Sequence, residues 1–190
     1  MSISSVLIAD SSQTSRNLIK DILTKRGYRV YQASDGSGAM RIARTIRPDL
    51  VIMDANLWGT NVYETGRLIE GERLSTVIFI TAKPDREFTE KLKSMKVFAY
   101  VTKPINPAQL IQIVEFSIAN SNRIAVLEKR VEKLENSLTA RKTVERAKGI
   151  IMERLGISEK EAYHRLRKES MDRGITMEKA AGDIIGKYGG

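Results

Sequence analysis

Arg47-Pro48-Asp49-Leu50-Val51-Ile52-Met53-Asp54 reads as a turn, a strand and a carboxylate in immediate succession. Leu50 to Met53 form an apolar run too short for a helix, without the polar alternation of a half-solvated strand. Such a run is expected of a strand covered on both faces, as in a parallel sheet with helices above and below. Asp54 then stands where that strand leaves the core.

On either side of this segment, Val6-Leu7-Ile8-Ala9 and Val77-Ile78-Phe79-Ile80 are also continuously apolar, and Tyr28 to Ala33 and Phe98-Ala99-Tyr100-Val101 complete a set of five short strands. Helical patterns lie between them. Leu18, Ile19, Ile22 and Leu23 form one, which ends at Gly27 as the residue after the C-cap. Ala39, Ile42, Ala43 and Ile46 form another, closed by Arg47-Pro48, and Leu110, Ile111, Ile113, Val114 and Ile118 form a third after Pro107. Strand–helix units in this alternation predict an α/β domain over residues 1–122, a five-stranded parallel, doubly wound sheet. Its chemistry is expected at the carboxyl ends of the strands.

The polar residues at those ends carry the information. Asp10 follows the first strand, Asp54 the third, Thr81-Ala82 the fourth and Lys103-Pro104 the fifth. The fold would bring two carboxylates, a hydroxyl and an ammonium into one crevice. Paired carboxylates suit Mg²⁺, a hard cation that takes oxygen ligands and neutralises a phosphoryl group. Asp54 could attack phosphorus to form an acyl phosphate, with Lys103 and Thr81 meeting the added charge. Each residue taken singly reads equally as a strand terminus or a helix cap; four on separate strands argue for a site.

Composition bounds the alternatives. The chain has no cysteine and one histidine, His164, which excludes disulfides, thiolate metal sites and any site needing two histidines. No basic-then-apolar leader and no apolar run of membrane-spanning length is evident, so the cytoplasm is the expected compartment and no membrane partner is expected. The net charge is +9, and residues 141–168 hold nine Lys/Arg against four Asp/Glu. That balance fits either a solvated helical surface or a polyanionic partner.

Residues 4–120 resemble the receiver domains of response regulators, and the segment from Arg47 to Asp54 is similar to the family's phosphorylation strand with its lead-in. The resemblance implies Asp54 as phosphoacceptor, Thr81 as switch hydroxyl, Lys103 as phosphate-contacting lysine and Tyr100 as the rotating aromatic. It implies Mg²⁺ held by Asp10, Asp54 and the backbone carbonyl of Asn56, and a sensor histidine kinase as partner. Lys103-Pro104 fits the family's lysine–proline step, often a cis peptide. Two departures stand out. Ser11 occupies the place of a second acid, and Trp58 stands where a proline is usual. Losing a carboxylate is expected to weaken Mg²⁺ binding.

No Pro or Gly separates the last helix of this domain from residues 123–140. Ile124, Leu127, Val131, Leu134 and Leu138 step by three and four, as a and d positions of a coiled coil over that stretch. Homodimerisation through this stripe is one reading; an amphipathic helix lying on its own receiver is the other.

Residues 141–190 are expected to form a small all-α domain of three helices. The first runs to Leu155 and stops at Gly156; Ser158 and Glu161 form a capping box opening the second, which stops at Gly174; Thr176 caps a third carrying Ala180, Ala181, Ile184 and Ile185. On the first helix Val144, Ala147, Ile151 and Leu155 form the buried stripe, with Lys148 beside it and Arg141 on the same flank. Gly149, costly within a helix, suggests the close approach of another group. Tyr163 and Arg167, at i and i+4, could offer a ring and a guanidinium plane to an unstacked base, or be half-buried core and ordinary surface.

Ala147-Lys148-Gly149-Ile150-Ile151-Met152, Ser158 to Leu166-Arg167, and Ala180-Ala181 resemble the ANTAR family of antitermination regulators. The resemblance implies RNA binding through Arg141, Lys148, Tyr163 and Arg167. The RNA would be paired hairpins in nascent mRNA, held by a homodimer so that a terminator does not form. Two other readings are a DNA-binding regulator and an RNA-binding protein controlled by a sequestering partner without phosphorylation. An ordinary enzyme is not expected, since the single nucleophile–metal constellation serves the chain's own phosphorylation.

Overall fold

The computed structural model describes residues 3–95, 97 and 99–188. The chain forms two compact units, Met1–Ile124 and Ala125–Gly190. In the first, β1 (Ser5–Ala9), α1 (Gln13–Lys25), β2 (Arg29–Ala33), α2 (Gly36–Ile46), β3 (Leu50–Asp54), α3 (Val62–Gly71), β4 (Thr76–Thr81), α4 (Arg86–Ser94) and β5 (Tyr100–Thr102) alternate. The five strands pair in parallel in the order β2-β1-β3-β4-β5. The doubly wound sheet read from the sequence is therefore the observed one.

The two-residue repeat of the strands divides the core. Leu7, Val51, Met53, Val77 and Phe79 face α2, α3 and α4, while Val6, Ile8, Leu50, Ile52, Ile78 and Ile80 face α1 and the first turns of α5 (Pro107–Leu155). Both faces are buried, which is why these strands carry no polar alternation. Crossovers leave β1 toward one edge and β3 toward the other, so a crevice opens between the carboxyl ends of β1 and β3.

Several expectations need correction. β5 begins at Tyr100, with Ala99 before it outside the strand, and Phe98 lies outside the described residues. Asp54 and Thr81 are the last residues of β3 and β4, not the first beyond them. Leu18 and Ile46 are exposed, so the inward stripes of α1 and α2 are narrower than periodicity suggested. The helix expected to begin near residue 141 is the end of α5, which runs unbroken from Pro107 to Leu155.

The loop between β3 and α3 is fixed from beneath. A Cβ added at Gly36 would lie 2.2 Å from Thr60 Cγ2, and Thr60 Oγ1 bonds Thr65 Oγ1 at 2.8 Å. Gly36→Ala is expected to destabilise the unit by about 1–3 kcal/mol, because a β-branched side chain has little freedom to yield. A lower urea midpoint would register it, and adding Thr60→Gly should recover part of the loss.

In the second unit α6 (Glu159–Asp172) and α7 (Met177–Tyr188) pack on the end of α5. The buried centre is Ala147, Ile151, Ala162, Leu166, Ala180, Ala181 and Ile184. Ser158 and Glu161 form the expected capping box, Gly156 and Gly174 take positive φ after α5 and α6, and Thr176 Oγ1 accepts the Lys179 N–H. Leu155, expected inside, is exposed.

Candidate functional site

Asp10, Asp54 and Lys103 meet at the crevice between β1 and β3. The two carboxylates are 3% and 5% exposed. Lys103 Nζ donates to Asp10 Oδ2 at 3.1 Å and also to Asp54 Oδ2. The second oxygen of each acid is held by the chain: Asp10 Oδ1 accepts the Ser12 N–H at 2.8 Å, and Asp54 Oδ1 the Asn56 N–H at 2.6 Å. Burial pushes the Asp10 carboxyl upward, but Ser15, Ser12 and Lys103 facing it outweigh this and hold it below the usual range. Burial likewise opposes the Lys103 charge, yet bonds to Asp54 and Asp10 hold its ammonium above its usual value. The Lys103-Pro104 peptide is cis, as the resemblance to receiver domains implied.

Thr81 sits buried beside this centre, its hydroxyl accepting the Lys83 N–H at 3.1 Å. Tyr100 is half-buried, its ring edge-on to Phe88 at 5.3 Å. The structure thus brings Asp10, Asp54 and Lys103 into contact, with Thr81 at the end of the adjoining strand. Asn56 contributes through its backbone. The two buried carboxylates form a pair of hard oxygen donors that fits Mg²⁺, a cation that keeps several waters beside one or two carboxylates.

Two interactions escaped the sequence. Arg16 Nη1 donates to the Asp10 carbonyl at 2.5 Å, tying α1 to the end of β1. Ser11 Oγ accepts the Trp58 N–H at 2.9 Å, so the two departures from the receiver pattern are hydrogen-bonded to each other. A proline at 58 would have no N–H to give. The Trp58 ring itself is 80% exposed.

On the second unit the proposed RNA residues differ in availability. Arg141 and Arg167 are exposed, and Tyr163 is 40% exposed with its ring 6.3 Å from that of His164. Lys148 is 6% exposed, with Nζ 2.9 Å from Glu145 Oε2 and 2.7 Å from Glu159 Oε1. Those bonds raise the Lys148 ammonium above its usual range, and the Lys148 bond lowers Glu159. Gly149 has no atom within 4 Å of its Cβ position, so the close approach expected there is not made within the described residues. Leu127, Val131, Leu134 and Leu138 are all more than half exposed, while Ile124 is partly buried. Among the described residues no helix is long and apolar enough to cross a membrane.

Comparison with known proteins agrees with this geometry. Residues 6–115 match the response regulator receiver domain, and residues 132–185 match the ANTAR domain. The transcriptional regulatory protein PdtaR of Mycobacterium tuberculosis is 31% identical over 185 residues, covering 97% of this chain and 90% of that protein. The aerobic respiration control protein ArcA of Escherichia coli is 34% identical over 107 residues, 55% of this chain and 44% of ArcA. Among solved structures, the chemotaxis response regulator CheY4 of Vibrio cholerae superposes with a TM-score of 0.57 at 24% identity, over 61% of this chain and 99% of CheY4, a likeness of fold. The likeness to PdtaR runs through both units, whereas ArcA and CheY4 share the sheet-bearing part alone; by that double match the chain belongs to the response regulators that join a receiver domain to an ANTAR domain.

Proposed function

We propose that a sensor histidine kinase phosphorylates this protein on Asp54, and that the phosphorylated chain dimerises and holds paired RNA hairpins in nascent mRNA, preventing transcription termination. The observation that best supports the first step is the convergence of Asp10, Asp54 and Lys103. A carboxylate oxygen of Asp54 attacks the donor phosphorus; the bond from phosphorus to the leaving nitrogen breaks, and an acyl phosphate remains. Mg²⁺, held by Asp10, Asp54 and the Asn56 carbonyl, would neutralise charge on the incoming phosphoryl group. Lys103 then passes from the Asp54 carboxylate to a phosphoryl oxygen, and the Thr81 hydroxyl, which donates to the Lys83 carbonyl at 3.2 Å, turns its proton to another. Movement of Thr81 leaves space into which Tyr100 can turn.

For the second step, Arg141 and Arg167 offer phosphate contacts, and Tyr163 offers a ring face. Lys148 is already balanced by two carboxylates, so it orders this face more than it charges it. The test uses the full chain with a small-molecule phosphodonor and Mg²⁺, binding labelled hairpin RNA. Competition by unlabelled hairpins but not by duplex DNA of equal length is expected. Competition by duplex DNA at the same concentration would make the protein a DNA-binding regulator.

Ser11 favours one further reading, control by a sequestering partner without phosphorylation, because a neutral hydroxyl already bonded to Trp58 attracts Mg²⁺ poorly. Ser11→Asp is expected to lower the Mg²⁺ concentration for half-maximal phosphorylation by about tenfold, an added charge at close range contributing roughly 1–2 kcal/mol. Unchanged Mg²⁺ dependence would show that Ser11 is no handicap.

A further inference from the structure

The end of α5 with α6 and α7 lines an open cavity of about 700 Å³ to which none of Arg141, Lys148, Tyr163 or Arg167 contributes. Its charged groups are Arg154, Arg165, Arg173 and Lys187 against Glu169 and Asp183. Arg173 bridges both acids, donating to Glu169 Oε1 at 3.1 Å and to Asp183 Oδ2 at 2.5 Å. One cation thus holds both carboxylates in place, and with four cations against two acids the lining keeps a net charge of +2. The Lys148 surroundings are the reverse, one ammonium between two carboxylates.

An aromatic ring stands among those cations. The Arg154 guanidinium lies 4.3 Å from the Tyr188 ring centroid and the Lys187 ammonium 5.0 Å from it. Ile150 and Ile184 supply apolar wall. A guanidinium stacked on a tyrosine is a flat, cationic surface of the kind on which unpaired bases stack. Arg165 and Lys187 add point charges for phosphate. The volume lies within the range of sites that enclose a small molecule, too small for a duplex whose bases stay stacked.

We propose that this cavity takes one unpaired nucleotide from the loop of the bound RNA, its base on the Arg154–Tyr188 pair and its phosphates at Arg165 and Lys187. The assignment rests on the RNA-binding function proposed above and adds a base site separate from Tyr163. A loop nucleotide and a free nucleotide share this chemistry, and the experiment separates them.

The full chain, treated with phosphodonor and Mg²⁺, is irradiated with hairpin RNAs whose randomised loops carry 4-thiouridine, and crosslinked peptides are mapped by mass spectrometry. Crosslinks at residues 184–188 are expected, and Arg154→Gln with Tyr188→Leu should weaken hairpin binding about tenfold or more. Arg165→Gln, at an exposed position, serves as a second variant should that pair disturb folding; it should flatten the salt dependence by somewhat under one ion. If wild type binds hairpins but the crosslinks fall elsewhere and these variants bind normally, the cavity assignment fails alone. If wild type binds no hairpin RNA, the functional reading fails and takes this site with it. Uridine monophosphate binding to the cavity undisturbed by hairpins would assign it to a free nucleotide and overturn the proposal.

Discussion

Asp54→Ala is expected to incorporate no phosphate from a small-molecule phosphodonor and Mg²⁺, where wild type is labelled. Asp54 is the one carboxylate at the carboxyl end of β3, and its Oδ1 is aimed by the Asn56 amide. Asp10 is the nearest rival, sharing Lys103 with Asp54. Its other oxygen accepts the Ser12 amide, and its main chain is tied to Arg16. Removing Asp54 also relieves Lys103 of one partner while Asp10 still balances it, so the variant should fold; Asp54→Asn, which keeps the shape, controls for packing. A hydroxylamine-labile phosphate that persisted on Asp54→Ala would transfer the acceptor role to Asp10.

The site could be read from the sequence because its members sit at strand ends, and strand ends are marked by where an apolar run stops. Leu50 to Met53 stop at Asp54, and Val77 to Ile80 stop at Thr81. The sheet order then converts four separate positions into one crevice. The reading failed where neighbours are set by tertiary approach. Glu145 is three residues before Lys148 and was in principle legible, but Glu159 reaches the same ammonium from the next helix. Ser11 and Trp58 belong to two different loops, and nothing local ties them. The cavity draws Arg154, Arg165 and Tyr188 from three helices. Helices α3 and α4 leave little trace in the sequence, since α4 buries only Phe88 and Leu92 and α3 presents Thr65 and Gly66 inward beside Val62 and Ile69. Such sparse faces carry little periodic signal.

Replacing Val131 and Leu134 with glutamine is expected to weaken the proposed dimer by roughly a thousandfold while both units stay folded. In the single chain these side chains are 53% and 58% exposed, and Leu127 and Leu138 beside them are 52% and 59% exposed. Glutamine keeps good helix propensity, so α5 should persist. About half of each side chain remains to be buried by a partner, which at the usual yield for full burial contributes roughly 1 kcal/mol apiece. A symmetric pair of helices loses four such contacts, near 4 kcal/mol, or about three decades in dissociation constant. Geometry sets the consequence for RNA. On the function proposed above, two hairpins on one transcript would be held by two linked sites, and linkage multiplies affinity through effective concentration. The monomeric variant should therefore bind one hairpin as well as wild type does, and tandem hairpins no better than one. Sedimentation equilibrium measures the first effect and titration with single and tandem hairpins the second. If the double variant sediments as a dimer at wild-type concentrations, the exposed stripe of α5 is not the dimer seam, and the gain from phosphorylation must be sought on another surface.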